Sequence, residues 1–178
     1  MAFFAHVCSG SASTGMRTDY DAMIVGAGPA GSTAAILLAS AGWSVALIEK
    51  QAFPRRKVCG ECIGASNLPL LATLGIGDTF ARLAGPELRE VALFCGDRVL
   101  QAPLPAVPNA RHPWGRALGR ESFDMLLLER ARELGVSIWQ PWSARAIDGS
   151  AGAFRCTIEA RPALQLTELR APTLILAN

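Results

Sequence analysis

The hydrophobic pattern opens with two short apolar runs flanking a segment rich in small residues. Ala22–Val25 reads as a buried strand, and Ser44–Ile48 as a second. Between them Pro29–Ala41 reads as a helix. Proline suits the first helical position, and Gly42 the left-handed position just past the end. Strand, helix, strand over this length predicts a βαβ unit with parallel strands and a right-handed crossover. Residues 50–65 mix proline, glycine and charge and read as a long loop. Asn67–Leu74 reads as a short helix that stops at Gly75. Leu88–Phe94 and Val99–Leu104 flank Gly96-Asp97, a hairpin signal. Glu121–Leu134 is amphipathic, with Phe123, Leu127, Ala131 and Leu134 on one face. Val136–Trp139, Ala144–Ile147, Phe154–Glu159 and Leu174–Ala177 read as further strands. The expected class is α/β: a Rossmann-like parallel sheet with an incomplete antiparallel portion.

Composition changes this picture little. Hydrophobic residues make up 51% of the 178, which suits one globular domain. A net charge of +2 argues for neither a nucleic-acid partner nor an anionic membrane. No charge falls between Ala22 and Ile48, but Gly26, Gly28, Pro29, Gly31 and Gly42 cut that run too short for a transmembrane helix. Residues 1–18 read as a disordered extension, since Ser9–Gly15 has linker composition and a basic signal-peptide start is lacking. Five cysteines, an odd number without a secretory signal, fit a reducing cytoplasm better than a disulfide framework.

The chemistry concentrates in Gly26-Ala-Gly28-Pro29-Ala30-Gly31, a G-x-G-x-x-G turn between strand and helix. Gly26 permits the tight turn, Gly28 lets backbone approach a pyrophosphate, and Gly31 lets helix pack on strand. The helix N-terminus offers N–H groups and partial positive charge to phosphates. Glu49 closes the second strand, where a carboxylate accepts hydrogen bonds from a ribose and repels the 2′-phosphate of NADP. These residues specify a dinucleotide.

Further residues carry a resemblance. Pro54-Arg55-Arg-Lys57-Val-Cys59-Gly60 follows Glu49-Lys50, and Gly119-Arg120-Glu-Ser-Phe-Asp124 begins the amphipathic helix. With the glycine turn, this resembles the N-terminal portion of the FAD-dependent geranylgeranyl reductase-like flavoproteins, in the para-hydroxybenzoate hydroxylase class. The resemblance implies FAD as cofactor and NAD(P)H as transient electron donor. It implies that Gly26, Gly28, Pro29, Ala30, Gly31, Glu49 and Lys50 hold the ADP half. Arg55 and Lys57 would serve phosphate or substrate, and Arg120 the pyrophosphate or ribityl region. Cys59 and Gly60 would lie beside the isoalloxazine ring. The substrate would be a small or lipid-like molecule, with reduction ranked above hydroxylation and halogenation. Residues 19–178 would be the FAD-binding domain, with part of a substrate-domain sheet inserted around 86–115. Because the family's fold continues beyond such a last strand, two readings stand: the FAD-binding half of an enzyme, or a truncated inactive fragment. Cys59-Gly-Glu-Cys62 is also a C-x-x-C; zinc would need two more ligands, whereas a redox dithiol facing the flavin needs none.

Overall fold

The computed structural model describes residues 17–59 and 61–177. The expected disordered extension therefore lies outside the described residues over 1–16, as does Gly60. The fold is α/β, as expected. Strand β1 (Ala22–Val25) leads through helix α1 (Pro29–Ser40) to β2 (Val45–Ile48). Next come β3 (Cys62–Ile63), α2 (Leu68–Thr73), α3 (Gly77–Leu83), the hairpin β4 (Glu90–Cys95) and β5 (Arg98–Pro103), and β6 (Arg116–Ala117). Helix α4 (Arg120–Glu133) precedes β7 (Ser137–Trp139), β8 (Trp142–Ser150), β9 (Ala153–Ala160), β10 (Leu166–Ala171) and β11 (Thr173–Leu176).

Four parallel strands form the central sheet in the order β11-β1-β2-β7. Their apolar runs are continuous because both faces are covered. Ile24, Val45 and Leu47 pack towards α1, α3 and α4, against Ile36, Phe80, Leu127 and Leu128. Met23, Ala46 and Ile48 point the other way, onto Ile158 and Leu169 of the antiparallel sheet β10-β9-β8. Each fully buried aliphatic side chain contributes about 1.5–3 kcal/mol. Two such layers explain why a sheet of strands only three or four residues long holds together.

The hairpin around Gly96-Asp97 forms in register, Phe94 opposite Val99. It stands away from both cores, with Leu93, Phe94 and Leu100 exposed. Four elements escaped the sequence reading: the two-residue strands β3, which lies inside the expected loop over residues 50–65, and β6, then helix α3 and strand β10. Helix α3 has seven residues, too few for a periodic signal, though Asp78 and Arg82 sit at the favourable ends of its dipole. Strand β10 does alternate, burying Leu169 and Ala171 while Glu168 and Arg170 stay outside. Ser44, expected as the first residue of β2, instead ties down its entry. Its N–H and hydroxyl donate to Asp21 Oδ2 at 2.7 and 2.6 Å, and its Oγ accepts from the Asp21 N–H.

Candidate functional site

The glycine turn joins the C-terminal end of β1 to α1. Gly26 takes φ +106°, and its N–H donates to Ile48 O at 2.8 Å. Gly31 is fixed by close packing: a Cβ there would lie 1.8 Å from Gly26 O. Gly28 differs. Its φ is −71°, and a Cβ would meet only Arg120 Nη2, at 3.7 Å. Among the described residues no other atom comes within 4 Å of that position, so the missing side chain leaves the backbone open to a ligand. Helix α1 starts at Pro29 with neither a capping side chain nor an acid in its first turn. Among the described residues, no side chain caps the N–H groups of its first turn.

Around this turn stands a connected set of charges. Glu49 is buried at the end of β2. Its Oε2 accepts from Ala27 N–H at 3.0 Å and its Oε1 from Gln51 N–H at 2.9 Å. The carboxylate thus holds the glycine turn itself. Arg55 Nη2 lies 3.8 Å from both Glu49 Oε2 and Asp124 Oδ2. Asp124, buried on α4, grips Arg120 in a two-pronged pair: Nε to Oδ1 at 2.7 Å and Nη2 to Oδ2 at 2.9 Å. A cation at the first position of a helix costs a few tenths of a kcal/mol or more, and the i,i+4 carboxylate offsets this. That carboxylate also raises the Arg120 pKa, so the guanidinium stays charged and aimed at the space over Gly28. Arg55 stacks on the Phe53 ring, 4.9 Å from its centroid. Its Nε is buried without a hydrogen-bond partner.

Cys59 is exposed on the loop after Arg55. Its thiol is held below the usual range, first by the Glu61 N–H and then by the Arg120 guanidinium. Glu61 has φ +55° and its carboxylate faces the start of α4, with Oε1 accepting from Arg120 N–H at 3.4 Å. On the other side of the strand ends, a cleft of 310 Å³ is lined by Val25, Gly26, Glu49, Lys50, Trp142 and Ser143, among others. It opens where β1 divides the strand order, the position at which open α/β sheets bind nucleotides.

The chain matches the FAD binding domain family over residues 19–163. It belongs to that family. It is 35% identical over 120 residues to tryptophan 2-halogenase of Chondromyces crocatus, covering 66% of this chain and 22% of that protein. Menaquinone reductase of Mycobacterium tuberculosis is 33% identical over 116 residues, covering 65% of this chain and 28% of that protein. Among solved structures, the anhydrotetracycline hydroxylase of Streptomyces rimosus superposes with a TM-score of 0.76 at 26% identity, over 90% of this chain and 32% of that one. The chain therefore spans about a quarter of the length of these curated relatives. A geranylgeranyl bacteriochlorophyll reductase-like structure shares the fold as well, but halogenases and hydroxylases dominate the likenesses. The expected resemblance thus holds at the level of FAD-dependent monooxygenase- and halogenase-type flavoproteins, and the reductase branch is not singled out.

The FAD-binding family and this geometry agree. An uncapped helix N-terminus, open space over Gly28, a guanidinium aimed there and an orphaned buried Nε on Arg55 are what a pyrophosphate with its flanking sugars requires. Of the residues expected at the site, the structure brings together Gly26, Gly28, Gly31, Glu49, Arg55, Cys59 and Arg120. Pro29 and Ala30 form the first turn of α1. Lys50 lines the strand-end cleft, and Lys57 is exposed on the loop. Asp124 is the residue the sequence reading missed. Its signal was available: an arginine and an aspartate four apart, with the aspartate beside the apolar face of the helix.

Proposed function

We propose that this FAD-binding domain is the nucleotide-binding part of an NAD(P)H-dependent flavoprotein reductase acting on a small or lipid-like substrate in a reducing cytoplasm. Bound FAD would supply hydride or electron transfer. The protein's residues do the holding. Gly26, Gly28, Pro29, Ala30 and Gly31 present backbone to the pyrophosphate, while Glu49 and Lys50 face the adenosine ribose from the strand-end cleft. Arg120, fixed by Asp124, meets phosphate or ribityl oxygens. Arg55 and Lys57 bring positive charge along the loop, and Cys59 would border the ring. The observation that carries the cofactor site is the Asp124–Arg120 pair over the open Gly28. The reductase branch is supported by the Pro54–Gly60 loop and by the likeness to menaquinone reductase. The likeness to tryptophan 2-halogenase favours a second reading, a halogenase or monooxygenase relative. No helix among the described residues is long and apolar enough to cross a membrane.

The test is anaerobic. The purified, desalted chain is loaded with FAD and mixed with NADH or NADPH, and the flavin visible band is followed. Retained flavin that bleaches with either nicotinamide supports the reductase reading. Retained flavin that bleaches only with a chemical reductant overturns the donor assignment. A colourless chain that stays colourless with added FAD overturns the cofactor site as well.

A further inference from the structure

The hairpin β4–β5 has the least support in the fold. It forms a two-stranded sheet by itself, and a lone hairpin is marginally stable until a further strand or a packed face joins it. Both its faces are open: Leu93 on one is 66% exposed, and Phe94 on the other 75%.

Its register shows which edge can take a strand. Leu104 N–H donates to Arg89 O at 2.8 Å, so Arg89 and Leu104 are a hydrogen-bonded pair. Such pairs alternate along an antiparallel ladder. Leu93/Leu100 and Cys95/Arg98 therefore bond across the hairpin, whereas Glu90, Ala92 and Phe94 turn their N–H and C=O groups outward. Before Glu90 that edge is already taken: Leu88 N–H donates to Gly115 O at 2.8 Å, and Glu87 bridges Arg116. From Glu90 to Cys95 no strand lies beside it among the described residues. On β5 the outward groups belong to Val99, Gln101 and Pro103, and proline has no N–H to offer. Strand β4 is thus the edge open to pairing.

We propose that β4 pairs antiparallel with β4 of a second copy of this chain, about a two-fold axis at Leu93, to complete a four-stranded sheet. Self-complementarity selects this partner. With the axis at Leu93, Ala92 meets Phe94 of the other copy, Val91 meets Cys95, and Arg89 comes beside Asp97. Leu100 pairs with Leu93 inside each hairpin, so the four leucines form one row across the sheet. Opposite charges fall at both ends of the seam, with apolar side chains between them. Arg89 is fixed at the base of the hairpin by Glu87, at 2.7 Å, and by the Trp114 ring, 4.2 Å from its centroid. Other axes break the match. At Ala92, Glu90 would face Phe94 and Glu87 would face Asp97. At Val91, Arg89 would face Leu93, and at Phe94, Val91 would face Asp97. A two-fold seam uses the same edge on both copies, so it closes at a dimer.

The experiment uses the full chain with a thiol reductant and needs no FAD, so the cofactor reading stands or falls separately. Light scattering after size exclusion is expected to give a mass that rises with concentration to twice that of the monomer. Ala92→Pro should hold the chain monomeric with an unchanged far-UV circular dichroism spectrum, because the N–H it removes points out of the hairpin. Leu93→Lys sets two cations on the axis and should also give a monomer, even where Ala92→Pro fails to fold. Leu93→Cys, with reductant removed, should form a disulfide to the same position of the second copy. A pair without hydrogen bonds on that axis has Cα atoms about 4.5 Å apart, within disulfide reach. Wild type that stays monomeric, or grows past a dimer, overturns the proposal. So do dimers that survive Leu93→Lys, and disulfides from position 93 found only to other cysteines.

Discussion

Two segments meet at the same end of the nucleotide site and are built on opposite principles. The glycine turn is determined by backbone packing: at Gly31 the next carbon would sit 1.8 Å from a carbonyl oxygen. The loop from Phe53 to Cys59 relies on long side chains, with Arg55 held at 3.8 Å by two carboxylates and by an aromatic face. The first admits no side chain at Gly31. The second should tolerate many substitutions with graded loss. Arg120 and Asp124 bridge them, since the pair reaches Gly28 from one side and Arg55 from the other.

The largest effect is expected where packing is absolute. Gly31→Ala should destabilise the fold by about 3 kcal/mol or more, because backbone must move to admit the methyl group. Urea denaturation measures this, and a midpoint equal to wild type would show that the turn is softer than its geometry. Next comes the bridge. Asp124→Ala leaves a mostly buried guanidinium without its partner, at a cost of about 3 kcal/mol. FAD retention should fall with it; a variant that keeps both stability and FAD would remove Arg120 from the site.

The loop should respond more mildly. Arg55→Ala removes two long ion pairs, while Glu49 keeps its two N–H donors and Asp124 keeps Arg120. The expected loss of stability is about 1 kcal/mol, with a clear loss of FAD affinity in equilibrium titration. Unchanged affinity would assign Arg55 a structural role only. The smallest effect lies away from both segments. Hydrogen bonds from Ser44 lower the Asp21 pKa, with the Arg17 charge a lesser help. A lowered carboxylate contributes stability above its unfolded value and loses it as pH falls through the folded one. Below about pH 4, wild type should therefore lose a small increment that Asp21→Asn lacks. Parallel acid titrations of the two proteins that superimpose would contradict this.

The same contrast governs what could be read from the sequence. Gly26 and Gly31 were legible because a backbone constraint selects one residue type. The strands of the parallel sheet were legible because burial on both faces leaves unbroken apolar runs. Arg55 and Cys59 were visible only through resemblance, since a basic loop beside a C-x-x-C has no unique geometry. Glu49 was read as a ribose acceptor, and its carboxylate also pins Ala27 and Gln51, a contact that spacing alone does not reveal. Helix α3 was too short to show a period, and charges on the outer face of β10 masked its alternation.

Gly28 separates cofactor from fold most cleanly, because among the described residues a Cβ there would meet only Arg120 Nη2, at 3.7 Å. The direct measurement is FAD titration by flavin fluorescence, on wild type and Gly28→Val, with thermal unfolding of both alongside. The account predicts saturable binding to wild type, no detectable binding to the variant, and melting temperatures of the FAD-free proteins within a few degrees of each other, a difference of about 1 kcal/mol. Equal FAD affinity in both proteins would contradict it.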